Sequence, residues 1–285
     1  MTMYEVLHKQ ELAPGLIRMD VKAPRVARKA KAGQFIVLRV GEDGERIPLT
    51  IADHHGDAVT IIFQEVGLST RLLGQVPVGG YLHDFVGPLG RPSDFHGAQR
   101  VVCIGGGVGT AVVYPQVKYL HAQGVYVDVI NGARTKNLVI LEEELRGNCD
   151  HLYITTDDGS YVRQGFVTDV LRELLAGGER YDLAVCIGPT PMMKAVCNLT
   201  KEFGLKTMVS LNPIMVDGTG MCGCCRVTVG GQTKYACVDG PDFDGHQVDF
   251  DELSSRLKIY RPEEAALSER HAHLCRLDGV MHEQH

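Results

Sequence analysis

The feature that most limits what this chain can fold into is a change of texture at Arg100. Ahead of it stand short runs rich in β-branched and aromatic residues, GLIRMDVKA, GQFIVLRV, AVTIIFQEV and YLHDFVGPLG, separated by Gly, Pro and Asp turns. Runs of that length and spacing predict a small antiparallel β barrel over residues 1–97. From Arg100 onward strand-like runs alternate with helical ones: VVCIGG, VGTAVVYPQVKYLHAQG, VYVDVINGA, NLVILEEELRG, HLYITTDDGS, FVTDVLRELLAGG, YDLAVCIGP and MMKAVCNLTKEFG. This βαβ rhythm builds a doubly wound α/β domain, a parallel sheet with helices on both faces, here over residues 98–206. After Lys206 the rhythm stops. A compact Gly/Cys/Asp-rich module follows over residues 207–250, and residues 251–285 read as a peripheral tail.

A chain of 285 residues has room for two compact domains and such a module. Its net charge of −6 gives no overall basic field, so neither nucleic acid nor an acidic membrane surface is an expected partner. The opening MTMYEVLHKQELAPG lacks the apolar core of a secretory signal, and no stretch reaches the ~20 apolar residues that span a bilayer. A cytoplasmic location is therefore expected. Of nine cysteines, Cys222, Cys224, Cys225 and Cys237 fall close together, whereas Cys103, Cys149, Cys186, Cys197 and Cys275 are scattered. In a reducing compartment the close group favours metal or redox chemistry, and the scattered thiols read as small core or surface residues.

At 104–110 the run IGGGVGT takes a buried strand into a glycine-rich turn that opens a helix. Gly105, Gly106, Gly107, Gly109 and Thr110 form the kind of turn that sets backbone N–H groups against a pyrophosphate. Thr110 stands where a G-x-G-x-x-G motif has its third glycine, so the same run also fits a tight strand-to-helix turn of any α/β domain.

The segment DGTGMCGCCR at 217–226, answered by YACVDGP at 235–241, is the most specific pattern in the chain. Iron takes thiolates that converge in a small loop, and glycines let the backbone pass close enough to offer N–H groups to the sulfides. Cys222 and Cys225 form a C-x-x-C pair and Cys237 is the return ligand; the fourth donor is left among Cys224, Asp217 and Asp239. Tetrahedral zinc accepts the same pattern, which makes a zinc-stabilised dinucleotide-binding regulator the non-enzymatic alternative. A redox disulfide fits less well, because that motif opens a helix within a βαβ unit.

Taken together, RIPLTIAD at 46–53, GGGVGTA at 105–111 and DGTGMC at 217–222 resemble the ferredoxin–NADP⁺ reductase superfamily, in the branch of dihydroorotate dehydrogenase electron-transfer subunits. Within that branch they are most similar to the small-subunit family of NADH-dependent reduced ferredoxin:NADP⁺ oxidoreductases. The resemblance spans almost the whole chain. It implies that the barrel holds FAD, that the α/β domain binds NAD(H), with NADP(H) as the other nucleotide, and that residues 207–250 hold a [2Fe–2S] cluster. Thr50 falls where the superfamily places a catalytic hydroxyl beside flavin N5, with Pro48, Leu49 and Ile51 around the ring. Arg46 stands toward the pyrophosphate, one position earlier than the family's basic residue. Gly67, Ser69, Thr70 and Arg71 match the FAD phosphate loop, and equally read as a helix start with a Ser/Thr cap.

On the nucleotide side the resemblance places Gly132, Arg134 and Asp158 at strand ends near the adenosine and ribose. Gly188, Pro189 and Met192 match the turn at the nicotinamide. Cys186 is displaced by one residue from the family's cysteine, and in a strand its sulfur then points to the opposite face. The family's ligand set of three Cys and one Asp falls on Asp217, Cys222, Cys225 and Cys237, which leaves Cys224 a bystander.

What the resemblance implies is an electron-transfer subunit working between NAD(H), FAD and the cluster. A [2Fe–2S] centre releases electrons singly, so a partner is implied: a larger flavin/iron–sulfur subunit, ferredoxin reached through that complex, and flavin-based electron bifurcation as a mode. The same cofactors would serve the electron-transfer subunit of a dihydroorotate or sulfide dehydrogenase, and the partner's identity separates these readings.

Overall fold

The computed structural model describes residues 4–267 and 269; Cys275 and the tail from residue 270 onward lie outside the described residues. The N-terminal part forms strands β1 (Tyr4–Ala13), β2 (Leu16–Lys22), β3 (Phe35–Arg39), β4 (Ile47–His55), β5 (Ala58–Gln64), β6 (Tyr81–Leu82) and β7 (Asp84–Leu89), with helices α1 (Pro24–Ala27) and α2 (Leu68–Gln75). The strands pair in the order β6-β1-β2-β5-β4-β3-β7, each pair antiparallel. The edge strands β6 and β7 are separated in sequence only by His83, so the sheet must roll until its edges approach. The result is a nearly closed barrel. Its interior is filled by every second residue of the strands, among them Met19, Val21, Ile36, Leu38, Ile61, Phe63 and Phe85.

The second sheet comes from β8 (Arg100–Gly106), α3 (Gly109–Ala122), β9 (Tyr126–Ala133), α4 (Glu142–Arg146), β10 (His151–Thr156), α5 (Val167–Ala176), β11 (Leu183–Ile187), α6 (Thr190–Glu202) and β12 (Thr207–Ser210). Its parallel order is β10-β9-β8-β11-β12. The chain steps from β8 to β10 in one direction and returns to the other side of β8 with β11. That reversal opens a crevice at the C-terminal ends of β8 and β11, where sheets of this type bind ligands. Val101, Cys103, Val129 and Val185 pack with α3 and α4 on one face, and Val102, Ile104, Ile130 and Cys186 with α5 and α6 on the other. Cys103, Cys186 and Cys197 are small buried side chains and Cys149 is half-buried.

Helix α3 lies between this sheet and the barrel. Ala13, Leu16, Ala52 and Ile62 of the barrel share an apolar cluster with Ala111, Val113, Val117 and Leu120 of the helix. At its rim Lys118 Nζ donates to both carboxylate oxygens of Asp53, at 2.9 and 2.8 Å.

The cysteine-rich segment adds a hairpin of β13 (Arg226–Val229) and β14 (Gln232–Tyr235), then α7 (Ala236–Asp239), β15 (Asp242–Asp244) and α8 (Phe250–Arg256). The hairpin turns on Gly230 and Gly231, at φ 59° and 71°, a two-residue turn whose twist requires both positions left-handed. Strand β15 pairs antiparallel with β12, so the sheet reaches past the boundary at residue 206 expected from the sequence. The tail expected from residue 251 is not peripheral at its start. Phe250 and Leu253 are buried against the α5/α6 face, and Arg256 Nη2 donates to the Cys224 carbonyl at 3.2 Å. Among the described residues no helix is long and apolar enough to cross a membrane.

Candidate functional site

Strand β4 carries the first group of expected site residues. Thr50 lies opposite Phe35 and Pro48 opposite Val37 across the antiparallel ladder, and opposed residues share a face, so Thr50 and Pro48 point out of the barrel. Leu49 and Ile51 occupy the other face: Ile51 is buried in the barrel core and Leu49 packs against it. Side-chain contact from Leu49 and Ile51 on the Thr50 side, as expected from the resemblance, is therefore not what the alternation allows; they offer backbone there. Arg46 is exposed, one residue ahead of the strand.

The loop before α2 comes to the same region, since the Ser69 hydroxyl donates to the carboxylate of Glu45, next to Arg46. Thr70 Oγ1 accepts from the N–H groups of Val66 and Gly67, both at 3.0 Å, closing the helix start. That hydroxyl is thus committed to its own loop. Gly67, as N-cap, is extended at φ −135°, and Arg71 follows on the exposed side of the first turn.

At the crevice Gly106, Gly109 and Gly188 stand where nothing larger fits. A Cβ on Gly106 would stand 2.3 Å from Met192 Sδ, one on Gly188 2.5 Å from Met192 Cε, and one on Gly109 2.3 Å from the Ile187 carbonyl oxygen. Gly106 and Gly109 therefore meet Gly188, Pro189 and Met192 across the β8/β11 ends, while Gly105 packs against Thr110. Gly107 takes φ 56°, and its N–H donates to the Gly132 carbonyl at 2.9 Å, bringing the end of β9 into the group. Thr110 turns inward: it is fully buried, and its hydroxyl donates to Asn131 Oδ1 at 2.8 Å. Asn131 was missed in the sequence reading, although a lone amide in the apolar run VYVDVINGA is the signal for such a partner.

Arg134 and Asp158 extend from neighbouring strand ends, joined by the Asp158 N–H to the Arg134 carbonyl at 3.3 Å. Ser160 donates through its hydroxyl and its N–H to Asp158 Oδ1, which holds that carboxyl below the usual range. Cys186 faces away from Ile187 and into the α5/α6 side of the sheet, where burial pushes its thiol well up.

The cysteine segment places Cys225 and Cys237 side by side, both buried, with their sulfurs 3.1 Å apart. Burial pushes Cys237 up to about 12. Two sulfurs at that separation in one buried pocket are the donor pair that a metal or iron–sulfur site takes. The Gly220 N–H points at the Cys237 sulfur, and Gly218, Gly220 and Gly223 take φ of 77°, 87° and 70°, which lets the loop wrap closely. Cys222 is exposed on that loop and Cys224 half-buried.

The Asp217 carboxylate accepts from Thr219 N at 2.6 Å and from Cys222 N at 2.6 Å. The Thr219 N–H is the larger influence, and Asp217 is lowered to about 2, hence anionic at neutral pH. Asp239, the other carboxylate candidate, is taken by the Tyr235 N–H at 2.8 Å and faces Arg91 at 3.8 Å. Among the described residues no three His, Cys, Asp or Glu side chains stand together at metal-holding geometry. By donor chemistry the segment fits an iron–sulfur centre. Soft sulfurs are paired, a hard anion stands on the loop that carries Cys222, and the Gly220 N–H aims at one of the sulfurs.

Known proteins give the same picture. The family described as the iron-sulfur cluster binding domain of dihydroorotate dehydrogenase B matches residues 212–249. An uncharacterised protein in the adh 3′ region of Clostridium beijerinckii is 53% identical over 92% of each chain. The dihydroorotate dehydrogenase B (NAD⁺) electron transfer subunit homolog of Thermotoga maritima is 44% identical over 93% of this chain and 94% of its own. Among solved structures, a chain of the NADH-dependent reduced ferredoxin-NADP oxidoreductase, studied for flavin-based electron bifurcation, superposes with a TM-score of 0.89. It is 43% identical and covers 95% of this chain and 98% of that one.

Proposed function

Because the chain belongs to the family of dihydroorotate dehydrogenase B electron-transfer subunits and their homologues, we propose that it moves electrons between NAD(H), FAD and a [2Fe–2S] cluster and passes them to a larger flavin/iron–sulfur subunit. The observation that carries this reading is the outer face of β3 and β4. On it Ala52 packs into the cluster of α3, while Phe35, opposite Thr50, packs with Cys225 and Cys237. One barrel face thus adjoins both the nucleotide domain and the cysteine segment.

When bound, the cofactors supply hydride exchange between nicotinamide and flavin and single-electron carriage by the cluster. The residues of the chain do the holding. In this reading the Thr50 hydroxyl stands at flavin N5 and orients the ring, and Pro48 lines the same face. Leu49 and Ile51 fix the strand from inside the barrel. Arg46, Gly67, Ser69, Thr70 and Arg71 gather round the FAD phosphates, Thr70 by shaping the loop whose N–H groups do the binding. The turn of Gly105, Gly106, Gly107 and Gly109 lets the NAD pyrophosphate approach the start of α3, with Thr110 locking the helix and the Gly107 N–H, held by the Gly132 carbonyl, shaping the turn. Gly132, Arg134 and Asp158 take the adenosine side, and Gly188, Pro189 and Met192 wall the nicotinamide side. Asp217, Cys222, Cys225 and Cys237 are the cluster ligands.

The partner we assign is the larger subunit of a ferredoxin:NADP⁺ oxidoreductase, with ferredoxin reached through it and bifurcation as the mode. Support comes from the solved structure that matches almost the whole chain. A dihydroorotate dehydrogenase partner is the second reading, favoured by the match over residues 212–249. A reducing compartment such as the cytoplasm suits described cysteines that are all free thiols. Anaerobic purification tests the cofactor set: flavin and iron–sulfur absorption are expected, and a colourless protein holding zinc would overturn it. In the same preparation Asp217→Cys should alter the EPR signal and shift the reduction potential, because a soft donor replaces a hard one. An unchanged signal and potential would remove Asp217 from the ligand set.

A further inference from the structure

On strand β3 the side chains divide cleanly. Ile36 and Leu38 fill the barrel, while Phe35 and Val37 face outward, and yet Phe35 is only 4% exposed and Val37 not at all. An outward aromatic on a barrel strand ordinarily meets solvent or a helix. Here it is covered by the cysteine segment: Phe35 and Val37 form one packed group with Met215, Cys225, Ala236 and Cys237, flanked by Leu89 and Phe243.

The fit is close on every side. A Cβ on Gly218, the residue after Asp217, would stand 2.8 Å from Leu89 Cδ1, 3.0 Å from Val37 Cγ2 and 3.9 Å from Phe35 Cε2. A Cβ on Gly90 would stand 2.8 Å from Phe35 Cε1 and 3.0 Å from Pro241 Cδ. Both glycines hold left-handed backbones, at φ 77° and 75°, so the loop and the barrel end press on the ring with no side chain between. The other neighbour of Phe35 is Thr50, directly across the ladder. Opposed residues on one face have Cβ atoms about 5 Å apart.

We infer that Phe35 is the positioning residue of the electron step between the flavin site and the cluster: its ring seats the cysteine segment on the barrel and sets the gap from the Thr50 face to Cys225 and Cys237. The inference rests on the assignment of flavin to the Thr50 face and of the cluster to the cysteine segment. Protein interiors are packed as densely as crystals, so a ring wedged between two rigid surfaces fixes their separation. An aromatic side chain does this with only two rotatable bonds. Electron transfer falls exponentially with separation, so a small shift at this wedge reads out as a rate.

The test uses the full-length holo-protein, prepared anaerobically, with Phe35→Ala, Phe35→Leu and Phe35→Met. Flavin and iron–sulfur absorption, NADH reduction of the flavin, transfer from flavin to cluster, and the magnetic interaction between flavin radical and reduced cluster are each followed. Phe35→Ala should keep the NADH-to-flavin rate while flavin-to-cluster transfer falls about tenfold, the effect of ~1.4 kcal/mol on a barrier. The radical–cluster interaction should weaken with it. Phe35→Met, which nearly conserves volume, should restore both. If Phe35→Ala does not fold, Phe35→Leu carries the same measurement, with a smaller loss expected. A Phe35→Ala protein, or Phe35→Leu where Ala does not fold, that keeps both cofactors and shows wild-type transfer and wild-type magnetic interaction overturns the inference. A wild-type protein lacking flavin or cluster overturns instead the functional reading beneath it.

Discussion

Asp242 is a carboxylate held where a carboxylate is costly. The residue as a whole is partly exposed, but its Oδ1 is buried without a hydrogen-bond partner among the described residues, while Oδ2 accepts from the Ser93 hydroxyl at 2.5 Å. Burial raises it from 3.8 to about 6, against the opposing hydrogen bonds from Ser93 and Ser210. The folded state therefore binds the proton more tightly than the unfolded one. The sign follows: the stabilisation is present below pH 3.8 and is lost as pH rises through about 6. Asp242→Asn, which keeps the shape and removes the charge, should flatten the pH dependence between those limits. It should also raise stability at pH 7 by about 3 kcal/mol at most, measured as the denaturation midpoint of the holo-protein. A midpoint that falls at pH 7 would show that the ionised form is wanted. None of this was legible in the sequence, because the groups that enclose Asp242 are distant in the chain. The cysteines were legible for the opposite reason. Cys222 and Cys225 share one loop with Asp217, and spacing within a loop is local information. The orientation of Leu49 and Ile51 was also available from strand alternation, and the family resemblance obscured it.

Helix α3 depends at its first residue on a missing side chain. The Ile187 carbonyl oxygen stands only 2.3 Å from where a Gly109 Cβ would be, and it belongs to backbone that cannot rotate away. Gly109→Ala should push the helix start off β11 and weaken NADH binding about tenfold, the equivalent of 1.4 kcal/mol, as read by a binding titration. Gly106→Ala presses instead on the flexible end of Met192, and the milder loss expected there should be relieved by shortening Met192. If Gly109→Ala binds NADH as tightly as wild type, the turn is only structural. At this scale long periodic elements were readable, and short ones were not. Strands β12 and β15, of 4 and 3 residues, carry too few positions for an alternation to show and lie beside or within the Gly/Cys-rich stretch. The start of α8 was hidden similarly, since only Phe250 and Leu253 of its face are buried.

The molecule as a whole is a barrel touched on one outer face by two different bodies. The barrel and the α/β sheet could be read from the sequence because each is built from consecutive segments whose periods differ. Their meeting could not. The ion pair of Lys118 with Asp53 and the packing of the cysteine segment on Phe35 and Val37 join residues far apart in the chain, and such contacts leave no local pattern. Under the proposed function, that arrangement would join three segments into one path: nucleotide crevice, β3/β4 face, cysteine loop. The most direct measurement follows reduction of the anaerobic holo-protein by NADH, monitoring flavin absorbance and the EPR signal of the cluster in one time course. The flavin should bleach first, and the cluster signal should then grow at its expense. A holo-protein that binds NADH and reduces its flavin while the cluster stays oxidised would contradict this path.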